Sequence, residues 1–148
     1  MGLNDLIQQF QKYLSIFWKG WKHTKSVHSD DEITRFIRPK ERKYVKENNK
    51  LKTAAFKLSR DGGISSCVTS GMSLVSIWQH GDKYFASLTN TIIGRGYLLA
   101  KDVYSENLRF DYNDDPPKHA NIIGFSVDRA LSLSQRQALA QKAEYEKR

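Results

Sequence analysis

The sequence predicts an α+β fold: a small, largely antiparallel sheet with an amphipathic N-terminal helix and a polar C-terminal helix. Three observations predict it. Residues 3–21 carry apolar side chains at helical spacing. The middle of the chain holds short β-branched runs divided by turn residues, and the end is rich in Ala, Gln, Lys and Glu. With 148 residues, 39% of them hydrophobic and 11% aromatic, the chain has enough apolar side chains for one domain. The expected division is a helix over 1–22, a linker over 23–32, an α+β core over 33–125 and a helical tail over 126–148.

In the first segment Leu3, Leu6, Ile7, Phe10, Tyr13, Leu14, Phe17 and Trp21 share one helix face. Asn4 is placed to cap the start, and Lys19, Lys22, His23 and Lys25 gather where the helix dipole favours positive charge. The stripe packs on the core, docks on a partner protein or lies on a membrane surface. For docking, the surface would be Phe10, Tyr13, Phe17, Trp18 and Trp21.

The run from His23 to Asp31 reads as a polar linker. His23, His28, Asp30 and Asp31 lie close in sequence, but a flexible loop is a poor frame for a metal, and no metal site is expected. Ile33–Ile37 reads as a strand ended by Pro39, followed by a charged helix over 40–48 and a weakly alternating segment over 51–58. Asp61-Gly62-Gly63 is a turn. Ile64–Thr69 is strand-like, and residues 73–79 read as a short helix closed by His80-Gly81-Asp82. Residues 97–103, 108–112 and 121–125 read as further strands, with Asn113-Asp114-Asp115-Pro116-Pro117 as a turn. Capping at Ser134 begins the tail helix, whose thin apolar face predicts an exposed element.

The net charge is +8. Residues 1–60 hold 14 Lys and Arg against 6 Asp and Glu, and residues 61–148 hold 10 of each sign, so the excess lies wholly in the first part. Such segregation points to a polyanion or an acidic protein as partner. The densest run supplies the candidate nucleic-acid contacts: Arg35, Arg38, Lys40, Arg42, Lys43, Lys46, Lys50 and Lys52, with Lys57 beyond them. Phe36, Tyr44 and Phe56 are interleaved and are candidates for stacking on bases.

Catalytic signatures are sparse. Gly94-Arg95-Gly96 lacks the third glycine of a dinucleotide loop, and Gly-x-Ser-x-Gly is absent. No cofactor is expected. The single cysteine, Cys67, reads as a packing residue. No run approaches the ~18–20 apolar residues of a membrane-spanning helix, and no secretory signal is seen, so a reducing cytoplasm is the expected setting. His119 follows Pro116-Pro117-Lys118 and leads into an apolar strand, a context that fixes a side chain for a loop contact or for proton transfer.

Several segments in order carry a resemblance: Arg35-Phe36-Ile37-Arg38-Pro39, Ala54-Ala55-Phe56-Lys57, Ile64-Ser65-Ser66, Gly96-Tyr97-Leu98-Leu99-Ala100, and Pro117-Lys118-His119-Ala120-Asn121-Ile122-Ile123-Gly124. Over residues 33–125 they resemble small uncharacterised bacterial proteins that accompany mobile or defence genes. The resemblance implies such an origin, including antiviral defence, and draws interest to Arg35, Phe56 and His119, but supplies no activity.

The leading expectation is a non-catalytic basic binding protein that contacts nucleic acid or an acidic partner. The alternatives are a small nucleotide- or nucleic-acid-directed enzyme, for example of the ADP-ribosyl transfer type, and a regulatory subunit that docks only on protein. The enzyme expectation requires Arg35, Ser66 and His119 to converge in one pocket.

Overall fold

The computed structural model describes residues 2–22 and 26–148, with backbone alone over 13–22. After helix α1 (Leu3–Lys22) the chain forms strand β1 (Glu32–Ile37) and 3₁₀ turns over Pro39–Tyr44 and Thr53–Phe56. Strand β2 (Ile64–Val68), helix α2 (Leu74–Tyr84), strand β3 (Gly94–Leu99) and helix α3 (Ala100–Tyr104) follow. Strands β4 (Arg109–Asp111) and β5 (His119–Ile123), helix α4 (Arg129–Lys142) and strand β6 (Glu144–Lys147) complete it. The strands form one six-stranded sheet in the order β4-β5-β2-β1-β3-β6, antiparallel at every pairing. The expected α+β class with an antiparallel sheet is the fold observed.

Strand alternation divides the core. Ile33 and Ile37 of β1, Ile64 of β2, Leu98 of β3 and Ile122 of β5 join Phe56, Val103, Leu139 and Ala143 in the main cluster. Burying each large apolar side chain of this kind is worth ~1.5–3 kcal/mol. A second, smaller cluster gathers Phe36, Cys67, Ile77 and Ile92, with Trp78 and Phe85 against it. Phe36 and Cys67 alternate out of phase with the isoleucines of β1 and β2, so α2 covers one sheet face and the main cluster lies on the other.

Four expectations are corrected. The helix expected over 40–48 is a 3₁₀ turn ending at Tyr44, after which Val45 bridges to Leu51. His80-Gly81-Asp82 does not close a helix but continues α2, which Ser73 caps by accepting the Ser76 N–H at 3.2 Å. The strand expected over 97–103 stops at Leu99, because Ala100 and Lys101 donate their N–H groups to Asp31 and Ser29 carbonyls and the chain turns into α3. The tail is not an exposed helix beginning at Ser134. Asp128 caps α4 by accepting the Leu131 N–H at 2.9 Å, and Leu139, Ala140 and Ala143 are buried. The small side chains of Ala140 and Ala143 suit the close packing of α4 beside the Thr53–Phe56 turn. The chain then returns to the sheet as β6, so residues 144–147 belong to the core.

Along α1, Leu3, Leu6, Ile7 and Phe10 are all exposed, Phe10 to 66%. The side chains of Tyr13, Phe17, Trp18 and Trp21, named above as docking residues, lie outside the described ones, as does His23. Asn4 is not the cap: Asp5 closes the first turn by accepting the Gly2 N–H at 3.1 Å. No described helix is long and apolar enough to cross a membrane.

Candidate functional site

The register of β1 with β2 pairs Ile33 with Val68 and Thr34 with Cys67. Just beyond these pairs, a cleft of about 120 Å³ is lined by Arg35, Phe36, Arg38, Ser65, Ser66 and Phe85, among others. Arg35 bridges it: Nε donates to the Ala55 carbonyl at 2.5 Å and Nη1 to the Ser65 carbonyl at 3.0 Å. Burial pulls the Arg35 guanidinium below its ordinary value, and Glu41, 4.0 Å away, opposes that shift.

Ser66 is buried, and its hydroxyl donates to the Ala120 carbonyl at 2.6 Å. The exposed serine is its neighbour. Ser65 Oγ lies 2.9 Å from His119 Nε2, and His119 Nδ1 lies 2.7 Å from Asn113 Oδ1. That same oxygen accepts the Asp115 backbone N–H at 3.2 Å. A backbone N–H is an unambiguous donor, so the Asn113 atom facing it acts as acceptor and His119 carries its proton on Nδ1. In the neutral ring Nε2 then holds a lone pair, and Ser65 donates to it. Burial lowers the pKa of His119, against the opposing charges of Asp111 and Asp115, which favours the neutral ring.

The fold holds this relay from three sides. The β2–β5 register sets Cys67 opposite His119 and Ser65 opposite Asn121, so Ser65 and His119 are diagonal neighbours on one face. The loop before β5 is tied by Lys118 N–H to Asp114 Oδ1 at 2.8 Å and His119 N–H to the Pro116 carbonyl at 3.0 Å. Phe85, which follows α2, stacks on the His119 ring with centroids 6.3 Å apart. His80, expected to close the short helix, is half-buried within α2 with its ring 4.7 Å from that of Tyr84. Cys67 is fully buried and burial pushes its thiol up to about 12, so it stays protonated and serves packing.

The expected catalytic set is thus partly assembled. Arg35 and Ser66 line one cleft, and His119 meets it through Ser65. Sequence reasoning missed Ser65 and Asn113. The signal for Ser65 was present: Ile64 and Val68 mark the main-core face of β2, which puts Ser66 inward with them and Ser65 opposite. Asn113 had no such signal, because only the loop's fold brings it to the ring.

The basic run does not form one surface. Arg35, Arg38, Lys40, Lys43 and Lys57 line a groove of about 430 Å³ with Tyr44, Ser65 and a single carboxylate, Glu41. Arg42 and Lys46 face another groove with Lys147 and Arg148. Lys50 and Lys52 border a third, where Lys50 Nζ lies 2.7 Å from Glu144. Phe36 and Phe56 are buried, which removes them as base-stacking candidates and leaves Tyr44, half-buried with Lys43 Nζ 5.5 Å from its ring centroid.

No protein-family model, curated protein or solved structure matches this chain. The resemblance drawn from the short motifs therefore gains no residue assignments, and the site rests on its own geometry.

Proposed function

We propose that the chain is a basic binding protein that holds a nucleic-acid strand in the groove beside the β1–β2 cleft. The observation that carries this reading is the groove's charge: among the described residues that line it, five cations face one carboxylate, Glu41, which pairs with Arg38 and Arg35, and Tyr44 stands at its wall. Phosphates neutralised by Lys and Arg release counterions, and an aromatic ring offers a sequence-tolerant platform for a base. The wholly N-terminal location of the net charge agrees with it. A reducing cytoplasm, with nucleic acid at hand, is the compartment this reading assigns.

The test is fluorescence anisotropy with labelled RNA, single-stranded DNA and duplex DNA at low and near-physiological salt. Micromolar or tighter binding with a steep salt dependence is the expected result. Absence of binding at low salt removes this reading.

A second reading, docking on a protein partner, is favoured by one observation: Leu3, Leu6, Ile7 and Phe10 are exposed along α1. Replacing Leu6 and Phe10 by Ser would then abolish partner co-purification while leaving the anisotropy signal intact.

A further inference from the structure

We propose that Ser65 is a nucleophile toward a phosphodiester carried in the basic groove, with His119 as its base and Asn113 as the positioning residue. The substrate class rests on the groove reading above; the nucleophile itself rests on separate geometry. Ser65 is a lining residue of both the cleft and the groove, with its carbonyl toward Arg35 and its hydroxyl toward His119.

Three features distinguish this serine from an ordinary strand hydroxyl. It is exposed, whereas Ser66 beside it is buried and committed to a carbonyl. Its hydrogen bond runs to the lone-pair nitrogen of a ring whose tautomer is fixed by Asn113. The ring is buried to 9% exposure and backed by Phe85, so it has little freedom to turn away. A hydroxyl donating to an oriented neutral imidazole is the arrangement that converts a weak nucleophile into a strong one. Arg35 and Arg38 line the same cleft together with Glu41, which lies 4.0 Å from Arg35 and 3.4 Å from Arg38. The two guanidiniums outnumber that one carboxylate, which suits an anionic electrophile better than a neutral acyl group.

In the first step Ser65 Oγ attacks phosphorus, and an Oγ–P bond forms as the P–O bond to the leaving alkoxide breaks. The Ser65 proton passes to His119 Nε2 and then to that alkoxide. In the second step water attacks phosphorus and gives a proton to His119, and the Oγ–P bond breaks. His119 passes that proton to Oγ, which restores the serine and the neutral ring and leaves a phosphomonoester product. No electrons change hands, and water is the only co-reactant.

The experiment treats the full chain with a fluorophosphonate, where fluoride is the leaving group, and follows modification of each serine by peptide mass spectrometry. In parallel, an end-labelled single-stranded oligonucleotide is tested for binding and cleavage. The expected result is labelling at Ser65 well ahead of exposed Ser59, slowed about 10²-fold or more in His119→Ala. Asn113→Ala, a change at an exposed residue, should also slow it. Asn113→Asp keeps an acceptor for Nδ1–H and should restore labelling, with its pH midpoint moved upward by the added carboxylate beside those of Asp111 and Asp115. A merely structural role for the relay would not shift that midpoint. Labelling of Ser65 no faster than Ser59 in the wild-type chain overturns the nucleophile, even if the oligonucleotide binds. Fast labelling with no binding or cleavage of the oligonucleotide overturns the phosphodiester and the groove reading together.

Discussion

The ring of Phe36 occupies the space that a side chain on Gly81 would need: Phe36 Cε1 lies 2.7 Å from the Cβ position of Gly81. Helix α2 therefore approaches the sheet at a glycine, and Phe36 fills the gap while its ring packs, tilted by 34°, against that of Phe85 with centroids 5.2 Å apart. Two effects oppose each other in Gly81→Ala. Helix propensity favours alanine by ~1 kcal/mol, whereas overpacking a tight contact costs ~1–3 kcal/mol. Packing should win, because the clash is with a ring buried on both sides. Net destabilisation of about 1 kcal/mol or more is expected in urea unfolding, and a stabilised variant would refute the close approach.

Arg95 should be the costliest single charge to remove. Its Nη1 lies 2.6 Å from Glu32 and its Nε 2.7 Å from Glu146, and Nη1 also donates to Thr34 Oγ1 at 3.0 Å. The guanidinium thus ties edge strand β6 to β1 across β3. Arg95→Ala leaves two carboxylates without their shared cation, and breaking a buried pair of this kind costs ~3–5 kcal/mol. The carboxylates are about one-third exposed, at 31% and 34%, which favours the lower end. Arg95→Lys should rescue little, since one ammonium cannot reproduce the planar fork. A loss under about 1 kcal/mol in chemical denaturation would contradict this.

Stability should fall at both ends of the pH range. His119 and His80 are held below their ordinary 6.5 mainly by burial. Below that value the unfolded chain binds protons that the folded form does not, so stability declines as pH drops through 6.5. Cys67 acts at the other end: raised from 9.0 to about 12, it keeps its proton in the fold while the unfolded thiol loses it, so stability declines as pH rises from 9 toward 12. Thermal melts across pH should show the acid limb shrinking in His119→Gln and the alkaline limb shrinking in Cys67→Ala. Limbs unchanged by either substitution would assign the pH dependence to other groups.

Charge reversal should separate the grooves. Lys43→Glu and Lys57→Glu alter the groove beside Ser65, while Lys52→Glu alters a different one. Removing a cation that neutralises one phosphate should lower the slope of log affinity against log salt by about 1. Binding weakened by the first two and spared by the third would place the strand beside Ser65. Equal effects from all three would mean diffuse attraction only.

The α+β class, the first helix, the β1, β2 and β5 strands and the charge segregation were legible because they depend on local signals: apolar periodicity, β-branched runs, turn residues and a simple count of charges. The return of the chain as β6 was not, since Glu144–Lys147 has no apolar alternation, and its place is set by pairing with β3 and by the Arg95–Glu146 contact. The site divides in the same way. Arg35 and His119 were recognisable by residue type and context, and strand alternation alone separates exposed Ser65 from buried Ser66. Only tertiary structure could join Ser65 to His119 across 54 positions, bring Asn113 to the far side of the ring, and distribute one continuous basic run among three grooves. The physical reason is that side-chain chemistry and local periodicity are written along the chain, whereas strand register and loop geometry arise from long-range packing.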